Sequence, residues 1–293
     1  MIDFETLYGL SLRLKNKSNL DEQNIYVDLL LTLALGEIQS KFDFVLKGGT
    51  ALVKAHFEPY RFSYDLDFSY FYKSGSPKKL YRQYQGNLER LMADLGFKVV
   101  NDENDRHRAG GRVLVLKLMD APENLVRSVK LSVSAIDRQP CFPPISKKFN
   151  TIAQIPRDPY DMLYPEIIKR VRKTHARVLT IEELCAEKIR ALATRGPEET
   201  WSLVLRDIVD LYYMERKGIL ARVFRERKCI RKKFHAIEDR TYWKRYNSFL
   251  QMDIRIEIPD EERGIFINED LLNEKLLEKT LGRVKEGLLN LNL

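Results

Sequence analysis

Hydrophobic and polar positions alternate between helical and strand periods along the chain. A helical region runs to about Ser40, with its strongest pattern from Glu22 to Ile38. Phe42 to Lys47 reads as a strand, Gly48-Gly49-Thr50 as a turn, and Ala51 to Phe57 as a short helix. From Phe62 to Phe71 the period is two: Phe62, Tyr64, Leu66 and Phe68 share one face, and Ser63, Asp65 and Asp67 the other. Lys78 to Leu95 is an amphipathic helix stopped by Gly96, and strands are predicted at Phe97–Val100, Arg112–Met119 and Arg127–Ile136. Six prolines between Pro140 and Pro165 predict an irregular crossover. Thr180 with Glu183 forms a capping box that opens a helix to Thr194, and a second helix spans Thr200 to Lys217. Further helices follow, ending with Asn268–Leu289. The expected fold class is α+β, a mixed sheet with flanking helices followed by a mostly helical domain. The expected boundaries are 1–140, a crossover at 141–165, and 166–293.

Charge adds an asymmetry. The formal net charge is +8, yet residues 216–245 hold twelve Lys/Arg against three acids, a local +9. Such a block suits an anionic partner, nucleic acid first, or a solvated helical surface. Phe224, Phe234, Tyr242, Trp243 and Tyr246 interleave with it, and would either stack on unpaired bases or pack a helical core. Arg231, Lys232 and Lys233 are the candidate RNA-binding residues.

Other classes are excluded. With 44% hydrophobic residues the chain can build a core, so it is not a disordered sequence. Its longest apolar run, Leu29–Leu35, is interrupted by Thr32 and is far shorter than the ~18–20 residues of a membrane span. The acidic Met1–Glu5 start lacks a basic leader region, and Cys141, Cys185 and Cys229 stand singly without a CxxC pattern. A cytoplasmic, reduced, zinc-free protein without membrane association is expected.

Candidate chemistry gathers between Leu46 and Phe68. Asp65 and Asp67, two apart on one strand, project from the same face, with Cβ atoms about 6–7 Å apart. Hard carboxylate oxygens so placed favour Mg²⁺ or Mn²⁺ over zinc. Two glycines between a strand and a helix start let the backbone approach a ligand and offer N–H groups to phosphate. On the later helices, Lys188 sits on the apolar stripe of Ile181, Leu184, Cys185 and Leu192. Such a lysine either snorkels outward or is held inward by an anion. Asp207 and Asp210, one turn apart on the next helix, would pair with it or help build a site.

The strings G-G-T-x-L (Gly48–Leu52) and R-x-S-x-D-L-D-F (Arg61–Phe68) resemble those of the AbiEii/AbiGii toxin family. This family holds nucleotidyltransferase-like toxins of abortive-infection and toxin–antitoxin systems. The resemblance implies a full-length match and metal-dependent nucleotidyl transfer from a nucleoside triphosphate. It assigns triphosphate binding to Gly48, Gly49 and Thr50, with Ser63 lining the pocket, and metal binding to Asp65 and Asp67. Glu187–Leu192 and Arg206–Leu211 are similar to two further motifs of the family. Those motifs imply a phosphate contact for Lys188 and site-building roles for Asp210 and Asp207. The expected acceptor is RNA, the tRNA acceptor end foremost, and the expected protein partner is a cognate antitoxin. The family commonly supplies a third acid where Ser132 stands here, so Asp120 or Asp137 would replace it, or two carboxylates suffice. Transfer to a small molecule or a protein hydroxyl, and a non-catalytic RNA- or antitoxin-binding member, are the alternatives.

Overall fold

The computed structural model describes residues 2–18, 20–71, 77–100, 111–118, 129–134, 139–153, 155–156, 159–195, 201–236, 240–253 and 255–291. They form two compact units, one of residues 1–140 with 144–179 and the other of 141–143 with 180–293.

The first unit begins with α1 (Phe4–Lys15) and α2 (Glu22–Lys41), each started by an aspartate. Asp3 accepts from the Thr6 amide, and Asp21 from the amides of Gln23 and Asn24. Helix α2 is buried almost all round from Asn24 to Leu35, as a helix apolar on every side must be. β1 (Val45–Lys47) runs into α3 (Gly48–Ala51), which continues as a π-helical turn at Leu52–His56. β2 (Asp65–Ser69), α4 (Pro77–Asp94), β3 (Phe97–Val100), β4 (Gly111–Leu118) and β5 (Val129–Ser134) follow. β6 (Ile145–Lys148), α5 (Tyr160–Leu163), α6 (Pro165–Lys173) and β7 (His175–Val178) complete the unit. The seven strands are ordered β3-β4-β5-β2-β1-β7-β6. β1 is parallel to β7 and antiparallel to β2, while β2 is parallel to β5.

This sheet corrects the expected division at 140 and 166. The proline-rich stretch contains β6, and α6 and β7 beyond it also belong to the first unit, which runs to Leu179. β6 is a four-residue edge strand whose Ser146 and Lys148 face solvent, so its sequence carries no apolar run. β2 is also shorter than expected, but its faces are as read: Leu66 and Phe68 are buried, Asp65 and Asp67 half-buried.

A polar group lies in the core of this unit. Lys54, in the π-helical turn, is fully buried and places Nζ 2.5 Å from Asp28 Oδ1 and 2.6 Å from Thr32 Oγ1. Asp28 Oδ2 accepts from the Ile152 amide at 2.9 Å, and the Lys54 carbonyl accepts from the Asn150 amide at 2.9 Å. Burial pulls the Lys54 ammonium below its ordinary pKa, against the opposing pull of Asp28. The cluster thus ties α2, the turn after Gly48-Gly49-Thr50, and the segment after β6 together.

The second unit comprises α7 (Ile181–Thr194), α8 (Trp201–Arg216), α9 (Ile219–Glu226) and α10 (Lys228–His235). α11 (Arg240–Gln251), α12 (Asp260–Arg263), a 3₁₀ turn at Glu269–Leu271 and α13 (Glu274–Leu289) follow. The Thr180 hydroxyl caps α7 through the Glu183 amide, and Gly218, at φ +73°, ends α8 in the left-handed region. The Glu183 carboxylate does not complete the capping box. It turns instead to Lys233 and to the Cys141 amide. Cys141 and Cys229, isolated in sequence, meet through a thiol–thiol hydrogen bond. That bond and nearby Lys233 draw the Cys141 thiol below its ordinary pKa. Among the described residues no helix is long and apolar enough to cross a membrane.

Candidate active site

The β1–β2 pairing sets the geometry. Lys47 lies opposite Asp67 in the antiparallel register, and Asp67 and Asp65 lie opposite Ser132 and Lys130 in the parallel one. Register partners project from the same face. Lys47, Asp67 and Ser132 therefore form one row across three strands, with Asp65 and Lys130 in the next. Ser132 Oγ donates to Asp67 Oδ1 and fixes that carboxylate. Two like charges on one strand face repel, and here two lysines share their surface. Lys130 was not singled out in the sequence, where only its strand position pointed to it.

Gly48 has φ +71°, a conformation side chains rarely adopt, and a Cβ there would sit 2.7 Å from Asp67 Oδ2. The backbone thus approaches the carboxylate as closely as a glycine permits. A Cβ on Gly49 would overlap the Arg61 guanidinium and lie 3.1 Å from Ser63 Oγ. Buried Arg61 also donates to the Phe62 carbonyl at 2.8 Å. Its position in the R-x-S-x-D string was the available signal for this role. Thr50 is fully buried; its hydroxyl donates to the Asp65 carbonyl and lies 2.9 Å from Ser63 Oγ. Thr50 and Ser63 accordingly staple the turn to the start of β2, and the Thr50 hydroxyl is occupied there. Gly48→Ala is expected to cost about 1–3 kcal/mol of stability through backbone strain, read from the urea midpoint.

Whether a divalent cation fits rests on Asp65 and Asp67, both half-buried on an accessible face. No group of three or more His, Cys, Asp or Glu able to hold a metal occurs among the described residues. Asp120 and Asp137 lie outside them. Two carboxylates suit Mg²⁺, which keeps waters and takes its remaining ligands from substrate phosphates.

In the second unit α7 and α8 bring Lys188, Asp207 and Asp210 together. Lys188 Nζ is 2.5 Å from Asp207 Oδ1 and 2.8 Å from Asp210 Oδ2. Arg195, absent from the sequence reading, donates its Nε to Asp207 Oδ2 at 3.1 Å. Both carboxylates are buried, and two cations balance them. Of the two options for Lys188, the structure displays the inward one, with carboxylates as its anions. Cys185, one turn away, is buried in the core, which pushes its thiol pKa up.

The basic helices need one correction. Arg231 and Lys232 are exposed, but Lys233 is 1% exposed, with Nζ 2.8 Å from Glu183 Oε1 and 2.9 Å from Glu187 Oε1. It shares an apolar helix face with Cys229, Ile230 and Phe234, so it serves as an internal counterion and cannot reach RNA. Phe234 and Tyr246 are buried and pack with Trp243, which selects the core reading for these aromatics. Lys233→Met should cost about 3–5 kcal/mol by leaving Glu183 buried without its cation. Arg231→Gln with Lys232→Gln should stay within about 0.5 kcal/mol. Thermal and urea unfolding of the two variants would check the contrast.

Among solved structures, the MenT4 nucleotidyltransferase toxin from Mycobacterium tuberculosis H37Rv is 15% identical, with 94% of this chain and 98% of that chain covered and a TM-score of 0.45. JHP933 from Helicobacter pylori is 18% identical, with 94% and 100% covered and a TM-score of 0.41. No curated protein matches. The family model for the nucleotidyl transferase AbiEii toxin of type IV toxin–antitoxin systems matches residues 29–287. That span holds the Gly-Gly turn, the strand with both carboxylates and the Lys188 cluster, and the chain belongs to the AbiEii nucleotidyl transferase toxin family.

Proposed function

We propose that this nucleotidyltransferase moves a nucleotide from a triphosphate to RNA, the tRNA acceptor end foremost, and that Asp65 and Asp67 hold a divalent cation on the triphosphate. The observation that carries this is the approach of the Gly48 backbone to Asp67, which sets the strand-to-helix turn directly against the carboxylate pair. Gly48 and Gly49 admit the phosphates, and Arg61 and the Thr50–Ser63 staple hold the turn that presents them. Ser132 keeps Asp67 in one orientation. Lys47 and Lys130 offset charge on the transferring group, and Asp65 takes the proton from the acceptor hydroxyl. Mg²⁺ or Mn²⁺, when bound, neutralises the triphosphate and polarises the reacting phosphorus. Lys188 is assigned a phosphate contact, with Asp207 and Asp210, which hold its ammonium, in a supporting role. The physiological setting is growth arrest relieved by an antitoxin.

Incubation with each labelled triphosphate, Mg²⁺ and a cell extract tests the reading. Label should enter the RNA fraction. Label in protein or small molecules, with RNA unlabelled, would move the acceptor to those classes.

A further inference from the structure

The first unit carries a basic surface of its own, apart from the block at residues 216–245. Lys169 and Lys173 lie one helical turn apart on α6 and share a face. Two residues later His175 opens β7, and Lys148 of β6 is its direct antiparallel partner, so these side chains leave one face of the sheet edge. All four residues are exposed.

The neighbouring arginines are already committed. Arg170 pairs with Glu37 at 2.7 Å, Arg172 with Asp161 at 2.7 Å, and Arg177 with Asp43. Lys148, Lys169 and Lys173 make no ion pair among the described residues, and Glu166 is the exposed acid on this side of α6. A cleft of about 430 Å³ opens between α2 and α6; its charged lining is Lys169, Lys173 and His175, the Arg170–Glu37 pair, and Glu166.

Topology fixes where this face lies relative to the carboxylates. β7 is parallel to β1 with Val178 opposite Leu46, so Gly48 and His175 lie toward opposite ends of the strand pair. Five strand residues separate their levels, about 16 Å at roughly 3.3 Å per residue.

We infer that Lys148, Lys169, Lys173 and His175 dock the phosphate backbone of the acceptor RNA, away from its reacting end. The inference rests on the RNA acceptor in the proposed function and adds a location and a length requirement. Exposed lysines without ion pairs among the described residues, two in an open cleft and one on the adjoining sheet edge, suit a polyanion, whose binding is driven by counterion release and does not require a shaped pocket. An acceptor must extend past its reacting end to reach them. A dinucleotide therefore uses the carboxylate site alone.

The test uses the full chain as wild type and as K148E/K169E/K173E, with a structured RNA of tRNA length as the probe. Filter binding across a KCl series should show at least a tenfold loss of affinity for the variant. The slope of log K against log salt should fall by about two to three, the loss expected for three phosphate contacts. Mg²⁺-triphosphate binding and transfer to a dinucleotide should stay at wild-type levels. Unchanged RNA affinity and slope in the variant, with the wild type binding RNA, would overturn the inference and leave the proposed function standing. Loss of antitoxin neutralisation with RNA binding intact would assign the face to a protein and overturn it too. No RNA binding by the wild type would overturn both this inference and the RNA acceptor.

Discussion

Asp67→Asn and Asp65→Asn are each expected to reduce nucleotide transfer by at least a thousandfold, about 4 kcal/mol of transition-state stabilisation. Both residues are half-buried on β2 and face away from the core formed by Leu66 and Phe68. An amide has nearly the volume of the carboxylate it replaces, so circular dichroism and the unfolding midpoint should hold. Asp67→Asn should be the more damaging for triphosphate binding, because Asp67 stands directly beside Gly48 and is held by Ser132. Asp65→Asn should lower turnover more than affinity if it also receives the acceptor's proton. Steady-state rates with labelled triphosphate separate these effects. Transfer within tenfold of wild type in either variant would remove that carboxylate from the mechanism.

The second large effect concerns stability. Lys54→Met should destabilise the first unit by about 3–5 kcal/mol, because it leaves the buried Asp28 carboxylate charged and without its cation. That is a large share of the roughly 5–15 kcal/mol that holds a domain folded. Asp28→Asn in the same chain should recover part of the loss. It removes the buried charge but keeps an oxygen able to accept from the Ile152 amide. A double-mutant cycle by urea unfolding measures the coupling. A loss in the double variant equal to the sum of the Lys54→Met and Asp28→Asn losses would show that the pair is not electrostatically linked.

Where the sequence pattern carried a strong local signal, the structure follows it. The Gly-Gly turn needs a positive φ at Gly48, and Asp65 and Asp67 share a face because β-strands repeat every two residues. Thr180 announced α7 through its hydroxyl. Other features depend on partners distant in sequence. Lys54 reads as a surface lysine until α2 delivers Asp28, twenty-six residues earlier, against it. Lys233 was counted in a charge run, although its neighbours Cys229, Ile230 and Phe234 already marked that helix face as apolar. β7 alternates His-Ala-Arg-Val over only four residues and β6 is a polar edge strand, so neither gives a signal long enough to identify it. Lys130 is placed beside Asp65, and Ser132 beside Asp67, only by the parallel register with β2, which no local pattern encodes.

On the proposed function, the Asp65–Asp67 face binds a triphosphate through a divalent cation. Calorimetric titration of the wild type and the Asp65→Asn/Asp67→Asn double variant with a nucleoside triphosphate, each with Mg²⁺ and with EDTA, tests it most directly. Binding is expected for the wild type with Mg²⁺ and not with EDTA, and for the double variant under neither condition. Equal affinity in all four titrations would contradict it.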